Sequence, residues 1–342
     1  MWRWHFMPIL VCLVILAELK PTVGRAQSTS RGPTSPEEAQ ILWEQGSLAS
    51  QEARAADVVI SLQRLIDRYP ADSHRKTALY QLGRAYLDLS RPQEAIPLLE
   101  AFILSSEDPQ EKLEARLLLG KSYFKLEKHI ETLLVVREIE TQTQTLRPSE
   151  DFRLQTLLLK SRALFHNHHP QQARLELITL EKSQNSSTRQ ALIDQIDSFK
   201  LELKLYECAQ MTTRETMSEL QAKAQIHHRA SCLLEAVLGS KNVLKASDPE
   251  IQTSVTHELK QGFDSLHLSC LHPPSPPPLK DRKRTPLEVQ RYRAELIDLV
   301  QPLCKQTRAQ AQELYLEWKK HPDYQHSAPL SSLLEWIQKL NS

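Results

Sequence analysis

Glycine is scarce in this chain, with seven residues among 342. Aromatic residues make up only 6%, and neither sign of charge dominates, because 43 basic residues are balanced by 42 acidic ones. No stretch reaches 18 consecutive apolar residues. Each shortage excludes something. Balanced charge leaves no footprint for nucleic acid or for an anionic membrane surface. Without a long apolar run the mature chain has no transmembrane segment, and membrane association would come only through partners. There is no glycine-rich phosphate loop and no nucleophile elbow. The cysteines contain no C-x-x-C pair, and spacings of 23, 37 and 33 residues between Cys208, Cys232, Cys270 and Cys304 do not suit a zinc module. HNHH at His166–His169 falls at a turn between paired helices, where solvated histidines are the ordinary outcome. Adjacent His227 and His228 point about 100° apart on a helix and make no ligand pair. The sequence therefore offers no catalytic residue, no metal site and no cofactor.

What is present reads as an all-α protein. Leu, Gln, Glu, Lys and Arg are abundant, and β-branched runs are few. The chain opens with Arg3, an apolar run from Met7 to Leu19, and Gly24-Arg25-Ala26. That is the plan of a cleaved signal peptide over 1–26, cut after Ala26, with a run too short for a comfortable span. Val11 before Cys12 does not make a lipidation site. Residues 27–36, QSTSRGPTSP, read as a disordered linker. Loss of the leader removes Cys12 and leaves four cysteines, an even number that in an exported chain implies two disulfides, with three pairings open. Asn185-Ser186-Ser187 is a glycosylation sequon and raises eukaryotic secretion as an alternative to a bacterial periplasm.

Three of the seven glycines, Gly46, Gly83 and Gly120, are spaced 37 residues apart. LGRAY surrounds Gly83 and LGKSY surrounds Gly120; a fourth copy, KSRALF, puts Ser161 in the same slot after 41 residues. Twelve residues beyond each small position come Val58, Ala95, Thr132 and Ala173. A period in the thirties signals a solenoid of helical hairpins. The small residues then mark where the two helices of a hairpin cross, opposite Val58, Ala95, Thr132 and Ala173.

The pattern resembles the tetratricopeptide repeat (TPR) family over 37–184, as an array of about four repeats. Leu79, Leu82, Gly83, Tyr86, Ala95, Leu99 and Phe102 match it well, whereas Arg116, Thr132 and Leu164 depart from it. The repeats are also similar to those of exported bacterial cell-envelope proteins such as BamD and CpoB, although no lipidated cysteine and no N-terminal coiled coil accompany them. The resemblance implies that first helices line a concave groove. Register places Ser47, Arg84, Lys121 and Arg162 there, beside Trp43, Tyr80, Leu117 and Leu158 and beside Ser50, Leu87, Phe124 and Phe165. From these the peptide-binding candidates are Trp43, Tyr80, Arg84, Lys121, Phe124, Arg162 and Phe165. A file of three basic residues beside aromatic ones suits a protein or peptide partner with acidic and apolar side chains.

The second half is helical without a visible repeat. Leu192, Ile196, Phe199, Leu203 and Tyr206 mark one amphipathic helix within a region spanning 186–271. Thr212 with Glu215 reads as a capping box opening a helix near Thr213 that runs to about Leu238, and Asp248-Pro249 opens another ending near Leu268. Residues 272–286 form a proline-rich connector with the basic cluster Lys280, Arg282, Lys283 and Arg284, expected to be extended and superficial. Over 287–342 the pattern predicts a helix from Leu287, restarted or kinked at Pro302 and continuing to Trp318, and a short last helix after Ser332. This half extends or caps the solenoid. The expected function is that of an exported, periplasmic adaptor or scaffold in cell-envelope or outer-membrane assembly and maintenance. The alternative is an enzyme or enzyme subunit with its site in the C-terminal half.

Overall fold

The computed structural model describes residues 35–341 except 185–187, 212–216, 246–247, 280–281 and 325–326. The leader, most of the linker, the sequon, the Thr212–Glu215 pair and Lys280 lie outside the described residues. Thirteen α-helices are present among those described. Ser35 and Pro36, assigned to the linker, instead start the first helix: Ser35 accepts the Glu38 N–H at 3.1 Å and Pro36 occupies the first turn, where its missing N–H is harmless.

The first eight helices make four hairpins: α1 (Pro36–Gln51) with α2 (Ala55–Arg68), α3 (Arg75–Asp88) with α4 (Pro92–Ser105), α5 (Pro109–Lys125) with α6 (His129–Thr143), and α7 (Glu150–His166) with α8 (Pro170–Ser183). Each tight turn is built the same way. Ala53, Ser90, Glu127 and His168 take left-handed φ values of 56°, 55°, 59° and 62°. The next N–H then reaches back five residues, Arg54 to Ala49 at 2.8 Å, Arg91 to Tyr86 at 2.8 Å, Lys128 to Tyr123 at 3.0 Å and His169 to Leu164 at 2.9 Å. This closes the helix with a Schellman motif although no glycine is used. His168 is therefore a structural turn residue.

The glycines do mark crossings: Ala95 O lies 3.6 Å from a Cβ placed on Gly83 and Thr132 Oγ1 lies 3.5 Å from Gly120 O, as expected, but the nearest atoms belong to leucines. A Cβ on Gly46 would run into Leu62, and one on Gly83 would lie 2.9 Å from Leu99 Cδ2. These leucines sit four residues beyond Val58 and Ala95, one helical turn further along, because the long side chain fills the space that two small residues open. At Gly120 the nearest atom belongs to Leu159 of the next first helix, at 3.0 Å, with Val135 at 3.5 Å.

The second half continues the plan with longer helices. α9 (Gln190–Gln210) pairs with α10 (Glu219–Val243), α11 (Pro249–Leu271) with α12 (Pro286–Lys319), and α13 (Ala328–Asn341) closes the chain. Odd-numbered helices contact one another in succession from α1 to α13, forming one continuous inner face. Cys208 bridges to Cys232 and Cys270 to Cys304, with Cα separations of 5.6 and 6.7 Å. Each bridge thus ties the two helices of one hairpin.

Several boundaries shift from their expected places. α10 opens at Glu219, where Ser218 and Gln221 supply a complete capping box; the start expected near Thr213 lies outside the described residues. α12 is one helix of 34 residues that runs through Pro302 without restarting. α13 starts at Ala328, ahead of Ser332, with Ser327 Oγ accepting the Leu330 N–H at 3.3 Å. The proline-rich segment is superficial only in part: Pro278, Leu279, Arg282 and Lys283 are exposed, but its first prolines are not. Pro273, Pro274 and Pro276 are buried, Ser275 O accepts the Met217 N–H at 3.0 Å, and Arg293 donates to Ser275 Oγ at 2.7 Å.

Among the described residues three large apolar cores run along the molecule, with a small fourth formed by Leu79, Phe102 and Ala115. The first joins α1 to α7, the second joins α7 and α8 to α9 through Leu154, Leu180, Ile196 and Phe199, and the third joins Leu201 and Leu205 of α9 to α10–α13. No described helix is long and apolar enough to cross a membrane.

Candidate peptide-binding groove

Side chains on the inner face connect each first helix to the next. Trp43 of α1 stacks on His74, at the start of α3, with centroids 4.7 Å apart and planes at 12°. Tyr80 of α3 packs on Phe102 of α4 at 5.1 Å; burial first, and then the charge of Glu114 on α5, push its phenol above its ordinary pKa. Lys121 of α5 donates from Nζ to Gln155 Oε1 of α7 at 2.7 Å. Phe124 of α5 lies 5.4 Å beneath the Arg162 guanidinium of α7 and 5.5 Å from the His166 ring. Phe165 meets Tyr206 of α9 edge-on at 5.1 Å, and His166 Nε2 stands 3.3 Å from Glu202 Oε1 of the same helix.

Six of the seven candidates read from register therefore belong to one ladder of contacts. Arg84 projects to solvent beside it. The expected file of three equivalent basic residues does not form. Arg84 is exposed, Lys121 is largely withdrawn from water, and Arg162 is stacked on Phe124 with its Nε buried and unbonded among the described residues. Burial, and after it the positive charge of Arg84, hold the Lys121 ammonium below its ordinary pKa. Arg189, at the start of α9, adds a weaker repulsion and pairs with Asp151. Leu87, Leu117 and Leu158 offer nothing to a ligand, since all three are buried in the helix packing.

The ladder also contains residues that register did not reach. His129, at the start of α6, stacks on His166 at 5.2 Å; burial and then His166 lower its pKa. Gln155, Glu202, Tyr206 and Glu258 complete the surface on α7, α9 and α11. In the sequence Tyr206 reads only as one residue of an amphipathic stripe. The signal for the others would have been the continuation of hairpins past α8, which the irregular helix lengths conceal.

No family model matches the chain, and no curated protein matches it. Among solved structures it is similar to a tetratricopeptide repeat protein from Parabacteroides merdae, at 8% identity over 88% of this chain and 99% of that one, with a TM-score of 0.40. It is also similar to the TPR-like repeats of a kinesin light chain from Podospora anserina, at 15% identity over 67% of this chain and 97% of that one, with a TM-score of 0.38. A third is the TPR2AB domain of yeast Sti1 in its pHSP90 complex, at 10% identity over 78% of this chain and 100% of that one, with a TM-score of 0.35. At these identities and scores the neighbours carry nothing about a partner.

Proposed function

We propose that the chain is an exported adaptor that holds a segment of a partner protein along its inner face. One observation carries this reading. Lys121 is a largely buried ammonium bonded to a neutral amide, with Arg84 beside it; the charge of Asp88 acts on it, but among the described residues no carboxylate stands within ion-pair distance of either cation. An acidic side chain of a partner would supply a directly bonded counter-charge through charge-assisted hydrogen bonds. The rings of Trp43, Tyr80, Phe124 and Phe165 provide apolar contact area on both sides of it. The leader pattern and the two intra-hairpin disulfides support an oxidising, exported location, and the likeness of the repeats to those of cell-envelope proteins supports the bacterial periplasm and a role in envelope or outer-membrane assembly. A catalytic site in the second half has less support. A cavity of about 590 Å³ along α12, between Arg284 and Ile297, is lined by no carboxylate, hydroxyl, thiol or imidazole among the described residues. Affinity capture from an envelope fraction tests the reading, with the wild type beside Arg84→Glu/Lys121→Gln, a pair that leaves the Arg162–Phe124 stack intact. Loss of the captured partner with unchanged helicity is expected. Undiminished capture would sink the proposal.

A further inference from the structure

The two halves of α12 differ in what covers them. From Val300 onward its core-facing side chains, Cys304, Ala311, Tyr315 and Trp318 among them, are buried. Over the first three turns the same helix leaves a cavity of about 590 Å³ along Pro286, Val289, Gln290, Arg293, Ala294 and Ile297. Steps of three, one, three, one and three residues put these six on one helical face. Pro286, Gln290, Arg293 and Ala294 are exposed, Val289 and Ile297 are half-buried, and Leu287 at the edge is 67% exposed. Arg284 closes one end of the cavity, with its Nε donating to Pro277 O at 2.9 Å. Arg293 donates from one Nη to Ser275 Oγ at 2.7 Å. Arg282 takes Glu288 at 2.6 Å, whereas among the described residues no carboxylate stands within ion-pair distance of Arg284 or Arg293. Asp298, exposed just beyond Ile297, likewise has no cation within that distance. Arg284 and Asp298 are about 20 Å apart along the axis, too far to pair within one chain.

We propose that this face is the two-fold interface of a homodimer, with α12 of one copy lying antiparallel on α12 of a second. A two-fold contact needs a surface complementary to itself. This face meets that requirement. With the axis between Arg291 and Tyr292, Pro286 meets Ile297 of the second copy, Val289 meets its Ala294 and Gln290 meets its Arg293, and each pair occurs twice. Apolar side chains oppose apolar ones, and small Ala294 leaves room for Val289. The Gln290 amide oxygen accepts from guanidinium N–H groups that Ser275 leaves free. Arg284 comes within one position of register with Asp298 of the second copy, so the cation and the anion left unpaired in one chain find each other across the axis, once at each end. A parallel pairing would instead set Arg284 on Arg284 and Arg293 on Arg293, which like charges oppose. The face runs about 17 Å, so the contact falls short of the roughly 1,600 Å² of a standard interface and the dimer is weak and concentration-dependent. Arg84 and Lys121 of the inner face take no part in it.

Analytical ultracentrifugation of the full-length oxidised chain reads the monomer–dimer equilibrium. Ala294→Glu sets a charge against Val289 on both sides of the axis and should raise the dissociation constant about tenfold or more. Ala294 is exposed, so circular dichroism should show unchanged helicity in that variant. Arg284→Asp and Asp298→Arg should each weaken the dimer by roughly three- to tenfold, because symmetry counts each reversal twice. Combined in one chain they should return the dissociation constant to within about twofold of the wild type, since each new anion then meets a new cation on the second copy. Arg84→Glu/Lys121→Gln should dimerise as the wild type does, which separates this interface from the inner-face reading. A wild-type chain that stays monomeric up to on the order of 1 mM overturns the proposal. So does a dimer that Ala294→Glu leaves intact, or a double charge reversal that binds no more tightly than the single ones.

Discussion

At Gly83 an added Cβ would lie 2.9 Å from two atoms of Leu99, whereas at Gly239 in α10 it would meet nothing within 4 Å. The same substitution should therefore change sign between the two sites. Gly239→Ala is expected to stabilise by up to about 1 kcal/mol through helix propensity. Gly83→Ala forces Leu99 off its seat and should destabilise by about 1–3 kcal/mol, less the same propensity gain. Chemical denaturation of both variants measures the difference, and equal effects would contradict the packing described. The turn residues give the reverse case. Ser90 and Ala53 hold left-handed backbone at φ 55° and 56° with a Cβ in place. Removing that Cβ relieves roughly 1–2 kcal/mol of strain against a loss of about 0.5–1 kcal/mol of backbone freedom. Ser90→Gly and Ala53→Gly should each raise stability by several tenths of a kcal/mol or more, read as a higher denaturation midpoint with unchanged slope. The glycine slot was legible in the sequence because it repeats. The left-handed turn residues repeat at the same spacing but are not legible in the sequence, since Ala, Ser, Glu and His share no chemistry that a pattern could follow.

Hairpins α1–α8 were legible as elements because their helices keep nearly constant length, so one register places every crossing. α9 to α13 run to 21, 25, 23, 34 and 14 residues, and no fixed period survives. Amphipathic stripes still located these helices, but neither their partners nor the inner-face residues Glu202 and Glu258. The disulfides mark the hairpins that the period misses. The first four hairpins lie close-packed on glycine or serine crossings, whereas α9–α10 and α11–α12 are each tied covalently. Bridges closing loops of 23 and 33 residues are worth roughly 3–4 kcal/mol each in chain-entropy terms. Peptide mapping without reduction should recover Cys208–Cys232 and Cys270–Cys304, and any bridge joining one hairpin to the other would refute the fold of this half. The double variant Cys270→Ser/Cys304→Ser should lose about 2–5 kcal/mol of stability while α3 and α4 keep their protection against hydrogen exchange.

Across the whole molecule, α9 is the element on which continuity depends, because it is buried on two sides. Leu192, Ile196, Phe199 and Leu203 face the core of α7 and α8, while Leu201 and Leu205 face that of α10–α13. Ion pairs also cross the joint, Arg174–Glu207 at 2.9 Å and Lys200–Glu181 at 2.6 Å, but exposed pairs of this kind are worth about 0–1 kcal/mol. The joint is thus held by apolar contact, and a boundary placed near residue 184 from the sequence cuts through a shared core. A fragment ending at residue 184 would uncover Leu154, Leu158, Leu164 and Leu180, side chains each worth about 1.5–3 kcal/mol when fully buried. Even a partial loss at four such positions should lower its melting temperature by on the order of 10 °C relative to a fragment carried on through α9 to Gln210. The shorter fragment should also bind a hydrophobic dye. The longer one restores the α7–α8–α9 core but leaves Leu201, Leu205 and an unpaired Cys208 exposed, so it should in turn melt below the full chain. Melting followed by far-ultraviolet circular dichroism orders the three. If the fragment ending at residue 184 melts cooperatively at the temperature of the full chain, the four hairpins are a separate domain and α9 is not the keystone of a single solenoid.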